Sequence, residues 1–154
     1  MTALTTELQA KDVMVPEPVC VEPSTTIRQL ARVFQEHDIS GAPVVDAQGH
    51  VVGIVSKTDL IRRCWEGTLD FPPAYLFEVV SEQGGADADV LPEPTVCVQD
   101  FMTEDPATVA PDTPAGEVAR LMSEGRFHRV VVVDRERFPV GMITSLDLLG
   151  VFPR

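Results

Sequence analysis

The sequence predicts a mixed α/β (α+β) protein made of two copies of one β-α-β-β-α unit. The first observation is an internal repeat, because the chain matches itself without a gap at an offset of 88 residues, residues 12–61 against 100–149. Sixteen of these 50 aligned positions are identical, against roughly 3 expected from average residue usage. The second and third observations are a helical apolar period and a pair of β-rich runs, which both copies contain in the same order.

Each copy begins with a short extended segment bounded by prolines, residues 19–23 in the first copy and 107–111 in the second. A helix is predicted after each segment, because apolar residues recur at helical spacing: Ile27, Leu30, Ala31 and Phe34, then Ala115, Val118, Ala119 and Met122. Ser24 or Thr25 is the predicted N-cap of the first helix. Thr113 is the predicted N-cap of the second, with Pro114 at the first helical position.

Two β-rich runs around a polar turn follow each helix, and they predict a pair of neighbouring strands. The runs are APVVD and VVGIV in the first copy, and VVVVD and PVGMI in the second. A short second helix closes each copy at SKTDLIRRC and TSLDLLGVF. Because units of this size cannot bury both faces of a sheet alone, we expect the copies to pack about a pseudo-two-fold axis.

The repeats divide the chain into an N-terminal tail (1–10), a first unit (11–64), a connector (65–98) and a second unit (99–154). The connector has no Lys or Arg and supplies −7 of the net charge of −12. A short helix is predicted in its AYLFEVVSEQ segment. A docking surface is one interpretation of this helix, and a cover over the sheet edge or a dimer contact is the plainer one.

Composition excludes several classes of protein. The N-terminus lacks a signal-peptide pattern and no apolar run approaches membrane-spanning length, so a cytoplasmic location without membrane association is expected. The acidic balance disfavours nucleic acid as the primary partner. Cys20, Cys64 and Cys97 form no paired spacing, which indicates reduced thiols rather than disulfides or a zinc ribbon.

The sequence contains few features that would indicate an enzyme. The chain has neither a histidine pair at zinc spacing nor a glycine-rich loop of the P-loop type, so we expect no catalytic residues and no required cofactor. A metal site built from His37, His50 and a cysteine is the alternative that the spacing leaves open, although no metal is expected.

The repeat aligns two short motifs, GIVSKTD (53–59) and GMITSLD (141–147), at the exit of a strand and the entry of a helix. A capping box explains the Ser/Thr hydroxyl well, but Asp is shorter than the usual Glu or Gln at the third helical position. The alternative is a nucleotide clamp. In that interpretation the helix N-terminus attracts phosphate, the glycine admits a ligand close to the backbone, and the aspartate accepts from ribose hydroxyls.

The whole chain from about Lys11 to Phe152 resembles a tandem pair of CBS domains, also called a Bateman module. The resemblance covers each repeat from its DVMVPEPVCVEP or QDFMTEDPATVAP segment to its motif. It implies a regulatory module that binds adenosine nucleotides (AMP, ADP or ATP) or S-adenosylmethionine as its regulatory ligand. It also implies two clefts between the copies, frequent homodimerisation into a disc, and control of an unknown partner protein.

The resemblance implies that the clefts are crossed, with each aspartate sharing a cleft with the opposite copy. One cleft would combine Met142, Thr144 and Asp147 with an apolar slot for adenine formed by Cys20, Ile39, Ala42 and Pro43. The other would combine Ile54, Ser56 and Asp59 with Thr108, Phe127, His128, Arg129 and Val130. The aspartates would hold ribose and the hydroxyl residues would face phosphate.

The second copy departs from the family pattern, because Val131 stands where the first copy has the ring-contacting Pro43. The basic pair His128 and Arg129 resembles phosphate-binding residues of the family, and Lys57 begins a helix, where a cation is unfavourable unless an anion lies nearby. The alternatives are a surface salt bridge for Arg129, a structural histidine and a solvated lysine. For the whole protein, the alternative function is a ligand-free dimerisation or docking scaffold.

Overall fold

A computed structural model describes residues 8–59, 61 and 96–150. The predicted connector helix and Cys64 lie outside these residues. The described elements of the first repeat are α1 (Ala10–Val13), β1 (Val15–Pro16), α2 (Ile27–His37), β2 (Gly41–Val45) and β3 (Val51–Ser56), after which residues 57–59 are helical. Those of the second are a 3₁₀ turn (Val98–Asp100), β4 (Thr103–Glu104), β5 (Thr108–Val109), α3 (Ala115–Gly125), β6 (Arg129–Val133), β7 (Pro139–Thr144) and α4 (Ser145–Leu149). The predicted mixed α/β fold is confirmed.

The chain divides into two compact units whose borders differ from those of the sequence repeats. The first-repeat unit comprises Val19–Ala47 and Val52–Glu104, and the second-repeat unit comprises Met1–Pro18, Gln48–Val51 and Asp105–Arg154. Each unit therefore contains the opening segment of the other repeat. Nothing in the apolar periodicity predicted this exchange, because the exchanged strands β1 and β4 are only two residues long.

The sheet of the second-repeat unit has the strand order β1-β7-β6-β5. β6 runs antiparallel to β7, with Arg129 opposite Thr144 and Val131 opposite Met142. β5 runs parallel to β6, with Thr108 beside Val131. The pairing shifts between Val132 and Val133, which leaves Val140 as the extra residue of a bulge.

One face of this sheet packs on helices to form the core of the second-repeat unit. Val130 and Val132 of β6 and Ile143 of β7 are fully buried there beside Val118 of α3. Full burial of each such side chain contributes about 1.5–3 kcal/mol. Because these side chains face the core, the alternate residues of β6 and β7 have their side chains on the opposite face of the sheet.

The first-repeat unit has a three-stranded sheet of order β2-β3-β4, in which Gly53 pairs with Glu104 and Ile54 with Thr103. Val21 adds a single parallel bridge to Val44. The core of this unit is built around Phe34 and Phe101. The two units thus repeat one architecture with different side chains.

The N-cap predictions were wrong by one or two residues. Helix α2 is capped by Thr26, whose hydroxyl accepts from the Gln29 N–H at 3.2 Å, while Gln29 accepts from the Thr26 N–H at 3.0 Å. Thr25 and Thr113 instead accept from the N–H three residues before them, each at 3.0 Å, and so hold the turns that precede the helices. Helix α3 begins after Pro114, which occupies the N-cap position and makes no side-chain cap.

The repeats also share their unusual backbone conformations. Six described residues have positive φ, and they form three pairs related by the 88-residue offset: Glu17 (52°) with Asp105 (49°), Asp38 (52°) with Arg126 (57°), and Gly49 (90°) with Arg137 (71°). Asp38 and Arg126 end α2 and α3 in the left-handed conformation that glycine adopts most easily. Arg137 is additionally held within its unit, because its Nε donates to the Val51 carbonyl at 2.9 Å.

Candidate functional site

Strand register gathers four of the predicted site residues on one face of the second-repeat sheet. Side chains alternate along a strand, so the residues beside the core-facing Val130 and Ile143 point to the opposite face. Arg129 lies directly across from Thr144 on that face, and Met142 across from Val131. Thr108 joins the same face through its pairing with Val131.

Two predicted site residues have side chains that face the core of their own unit instead. Val130 and its equivalent Ala42 are fully buried in the hydrophobic cores of their units. Any contact that these residues make with a ligand would therefore come from their backbone. By contrast Ile54 and its equivalent Met142, both 8% exposed, are buried outside those core clusters.

Thr144 and Asp147 form a complete capping box at the start of α4. The Asp147 Oδ2 accepts from the Thr144 N–H at 2.8 Å and from the Thr144 hydroxyl at 3.0 Å, and the Asp147 N–H donates back to Oγ1 at 3.3 Å. Aspartate is therefore long enough for this box, although Glu or Gln is the usual residue at that position. Asp12 and Asp100 reach back in the same way, to the N–H groups of Gln9 and Cys97, each at 2.8 Å.

Ser56 and Asp59 repeat this arrangement in the first-repeat unit. The Ser56 hydroxyl donates to Asp59 Oδ2 at 2.9 Å and accepts from the Asp59 N–H at 3.1 Å. Ser56 is only 8% exposed and is the buried polar side chain among the described residues. Asp59 and Asp147 are both half-buried, so the carboxylate of each motif is partly accessible. The neighbouring hydroxyl already donates its proton to that carboxylate.

The capping boxes limit what the motifs can offer to a phosphate. A hydroxyl has a single proton, and those of Ser56 and Thr144 are already directed at the aspartates. In α4 the Ser145 N–H donates to the His128 carbonyl at 3.0 Å, and the Asp147 N–H is taken by Thr144. Of the three N–H groups in the first turn, only that of Leu146 has no such partner among the described residues. Phosphate would therefore depend mainly on basic side chains.

Each motif glycine leaves room for a methionine side chain, which is a packing role that the nucleotide-clamp interpretation did not include. A Cβ on Gly53 would lie 2.6 Å from the Met102 Sδ and 3.0 Å from the Thr103 carbonyl oxygen. A Cβ on Gly141 would overlap the Met14 Sδ and lie 2.7 Å from its Cγ. The space above each glycine is thus filled by the methionine that precedes β1 or β4. These two strands, the first of each repeat, are called the lead-in strands. Met14 and Met102 are identical in the repeat, which was the sequence signal for this contact.

The basic residues predicted for the site in the second repeat lie around the start of β6. Arg129 is half-buried and His128 is exposed, next to Phe127, whose side chain is 40% exposed and whose ring covers Gly125. Lys57 is half-buried rather than exposed, and its N–H donates to the Ser40 carbonyl at 3.0 Å. This bond is the equivalent of that between Ser145 and His128, so both motifs are anchored to the start of the neighbouring strand.

The predicted adenine slot lies in the first-repeat unit around the entry of β2. Pro43 is buried, and its carbonyl accepts from the Val21 N–H at 3.0 Å, which holds the neighbouring Cys20 close to β2. Cys20 and Ile39 are half-buried, and burial raises the pKa of the Cys20 thiol above its ordinary value. A neutral thiol suits an apolar slot.

The described residues contain no group of three or more His, Cys, Asp or Glu side chains placed to hold a metal ion. Across the same residues, no helix has the length and apolar character needed to cross a membrane.

Comparison with known proteins places these features in a family. The model of the CBS domain matches residues 10–66 and again 98–154. An uncharacterized protein of Methanocaldococcus jannaschii is 28% identical over 148 residues, which span 90% of this chain and 88% of that protein. An inosine-5'-monophosphate dehydrogenase of the same organism is 26% identical, but this chain spans only 23% of its length.

Solved structures show the same fold. The complex of CBSX2 with AMP, a CBS-pair protein from Arabidopsis thaliana, has a TM-score of 0.67 and 26% identity, covering 92% of this chain and 93% of that one. The CBS domain pair of protein MJ0100, solved with 5'-methylthioadenosine and S-adenosyl-L-methionine, has a TM-score of 0.72 and 24% identity, covering 94% and 95%. The chain accordingly belongs to the CBS-domain family and carries two CBS domains in tandem.

Proposed function

We propose that this protein is a non-catalytic regulatory module that binds an adenosine nucleotide or S-adenosylmethionine and thereby modulates a partner protein. The observation that carries the proposal is the duplicated motif, in which a partly accessible aspartate stands beside a strand end in each unit. The likeness to CBSX2, whose structure contains AMP, supports an adenine-containing ligand. As the family resemblance implies, the two clefts are proposed to be crossed, each aspartate working with the opposite repeat.

Asp147 has the acceptor capacity that ribose recognition requires. Its Oδ2 is held by the Thr144 N–H and hydroxyl, whereas no described residue donates to its Oδ1. A carboxylate oxygen has two lone-pair sites, so Oδ1 can accept from both ribose hydroxyls. The capping box then fixes the carboxylate in advance, which lowers the entropy lost on binding.

Arg129 is the proposed phosphate ligand. Its guanidinium can hold two phosphate oxygens at once, and the motif hydroxyls have no free proton for this task. S-adenosylmethionine lacks a phosphate, so its binding would depend on the aspartates far more than on Arg129. This difference separates the two ligand classes by experiment.

A thermal-shift panel of AMP, ADP, ATP and S-adenosylmethionine tests the proposal. A ligand present at one hundred times its Kd stabilises the folded state by about 2.7 kcal/mol, which for a chain of this size raises Tm by about 5–10 °C. Asp59→Ala or Asp147→Ala should diminish the shift. Asp12→Ala is the matched control, because it removes the same kind of capping contact outside the motifs.

The readout is the ligand-induced shift of each variant relative to its own ligand-free Tm, since both substitutions also weaken a cap. Unmoved melting curves with all four ligands at millimolar concentration would contradict the sensor proposal. An equal loss of shift in Asp12→Ala would contradict the role of the motif aspartate.

A double-mutant cycle on AMP affinity tests the crossed arrangement. If the clefts are crossed, Arg129→Ala and Asp59→Ala should couple by about 0.5–3 kcal/mol, the range for residues of one site. Arg129→Ala and Asp147→Ala should then be additive, although Arg129 lies beside Thr144 in its own sheet. Coupling to Asp147 instead of Asp59 would favour a site built within one unit.

A ligand-free scaffold is the second candidate, and the exposed apolar residues near the ends of the repeats favour it. Leu146 and Leu149 of α4 are 76% and 66% exposed, and Ile61, the equivalent of Leu149, is 40% exposed. We propose that these side chains contribute to a homodimer contact. Light scattering on the double substitution Leu146→Glu and Leu149→Glu should show monomers, and an unchanged mass would exclude this surface.

Regulation requires that the ligand prefer one arrangement of the protein over another. A ligand that contacts both repeats shifts their arrangement, or that of the dimer, only by its difference in affinity for the two states. The proposal therefore predicts that AMP changes the affinity for the partner, and that the partner changes the affinity for AMP by the same factor.

A further inference from the structure

The residues proposed for the two clefts differ in net charge. Those of one cleft include the cations Lys57 and Arg129 and the carboxylate Asp59, so two positive charges and one negative charge give +1 with His128 counted as neutral. Those of the other cleft include one charged residue, Asp147, which gives −1. The phosphate of AMP carries about −1.5 to −2 charges at pH 7. It is therefore attracted by one set of residues and repelled by the other.

The difference begins at the first residues of β2 and β6, which are equivalent in the repeat. Arg129 starts β6, is half-buried and lies across from Thr144 on the sheet face away from the core. Its equivalent at the start of β2 is Gly41, which has no side chain to offer a ligand. Because the motif hydroxyls already donate to the aspartates, a phosphate depends mainly on basic side chains. The start of β2 supplies none.

The residue that follows each motif hydroxyl shows the same division. It is Lys57 in the first motif, where it is half-buried, and Ser145 in the second, where it is exposed. The N–H of Lys57 donates to the Ser40 carbonyl and that of Ser145 to the His128 carbonyl, both at 3.0 Å. The two positions thus share these backbone contacts and differ in side-chain charge. Exchanging the side chains changes the charge of a cleft and leaves these backbone contacts in place.

The residues proposed to accompany Asp147 add no charge that would compensate its carboxylate. Burial raises the pKa of the Cys20 thiol, which keeps it neutral. Pro43 is buried and Ile39 is half-buried, so the adenine slot is apolar. S-adenosylmethionine fits this arrangement, because it shares adenine and ribose with AMP but has a positively charged sulfonium in place of the phosphate.

We propose that the two clefts take different ligands, with AMP or a related nucleotide in the cleft of Asp59 and Arg129, and S-adenosylmethionine in the cleft of Asp147. This inference rests on the proposed function and its crossed clefts. The duplicated aspartates hold ribose in both clefts, so the choice between the ligands is made by charge. Positions 57 and 129, with their equivalents 145 and 41, determine it.

Isothermal titration calorimetry tests this assignment with AMP, with S-adenosylmethionine, and with each ligand in the presence of a saturating amount of the other. One equivalent of each ligand per chain is expected, and neither should prevent the other from binding. Competition for a single site, two equivalent sites for AMP, or binding of only one of the two ligands would overturn the assignment and leave the proposed function standing. Binding of neither ligand would contradict the proposed function as well.

Lys57→Ser and Ser145→Lys supply the decisive comparison, because each installs the residue of the equivalent position. Lys57→Ser should weaken AMP binding by at least about tenfold, the loss expected for a charge-assisted contact, and leave S-adenosylmethionine binding unchanged. Ser145→Lys should weaken S-adenosylmethionine binding, because it cancels the negative charge of that cleft. Lys11→Gln removes an exposed cation outside both clefts and is the matched control. Undiminished binding by both variants, or an equal loss for both ligands, would overturn the role of charge.

The aspartates identify the cleft that each ligand occupies. Asp59→Ala should weaken AMP binding and spare S-adenosylmethionine, and Asp147→Ala should do the reverse. The ligand-free Tm of each variant separates this effect from the lost capping contact. The opposite pairing of ligands and aspartates, or equal losses for both ligands in each variant, would overturn the assignment.

Discussion

Replacing Gly141 by alanine tests whether the motif glycines are required for packing. The new Cβ would overlap the Met14 Sδ and lie 2.7 Å and 3.0 Å from its Cγ and Cβ. The Met14 Sδ and Cγ would have to leave the space above Gly141, whereas the Met14 Cβ would need to give way by only a few tenths of an ångström. Overpacking of this kind costs about 1–3 kcal/mol.

The assay is the free energy of unfolding from urea denaturation of the ligand-free protein, with Tm as a second readout. A loss of 1–3 kcal/mol corresponds to a fall of about 2–12 °C in Tm for a chain of this size. Introducing the same change into a Met14→Ala background should cost less than about 0.5 kcal/mol, since the two remaining Cβ atoms need to separate by only a few tenths of an ångström.

Two results would refute this reasoning. An unchanged free energy of unfolding in Gly141→Ala, with weakened AMP binding, would mean that the glycine admits a ligand after all. An equal cost with and without the Met14 side chain would mean that the strain arises elsewhere.

Arg126→Gly should stabilise the protein by about 1 kcal/mol, because glycine adopts the left-handed conformation at φ 57° without a Cβ penalty; no rise in Tm would show that Arg126 makes a compensating contact. Thr144→Ala should cost about 1 kcal/mol by removing the cap of α4, and a cost near zero in urea denaturation would contradict its capping role. Burial raises the pKa of Cys20, so its contribution to stability should be complete below the ordinary thiol pKa of 9.0 and fall as pH rises through the higher folded value. Cys20→Ala should remove that alkaline loss, and an identical pH profile would contradict the assignment.

The repeat unit could be predicted from the sequence because its helices and strands are long enough to carry a period. The apolar residues of α2 and α3 and the β-branched runs of β2, β3, β6 and β7 all indicated their elements correctly. The strands β1 and β4 are too short for any period, so their exchange between units left no comparable signal.

The local errors have identifiable physical causes. The hydroxyl of a threonine before a helix can cap the helix or accept a hydrogen bond within the preceding turn. Thr25 and Thr113 accept within the turn. A capping box usually has Glu or Gln at its third helical position, yet Asp147 reaches the Thr144 N–H at 2.8 Å because the N-cap residue is extended. The role of Gly53 depends on Met102, a residue 49 positions away that no local pattern connects to it.

The exchange of the lead-in strands affects how the protein is made. On the ribosome, the first-repeat unit lacks β4 until residue 104 has emerged, and β1 lacks its partner β7 until residues 139–144 have emerged. Neither repeat can therefore complete its sheet as an autonomous domain while translation proceeds, although domains generally fold in the order of synthesis. If the chain were cut within the connector, each half would retain a strand that belongs to the other half's sheet, so the two halves would regain the fold only by reassembling with each other.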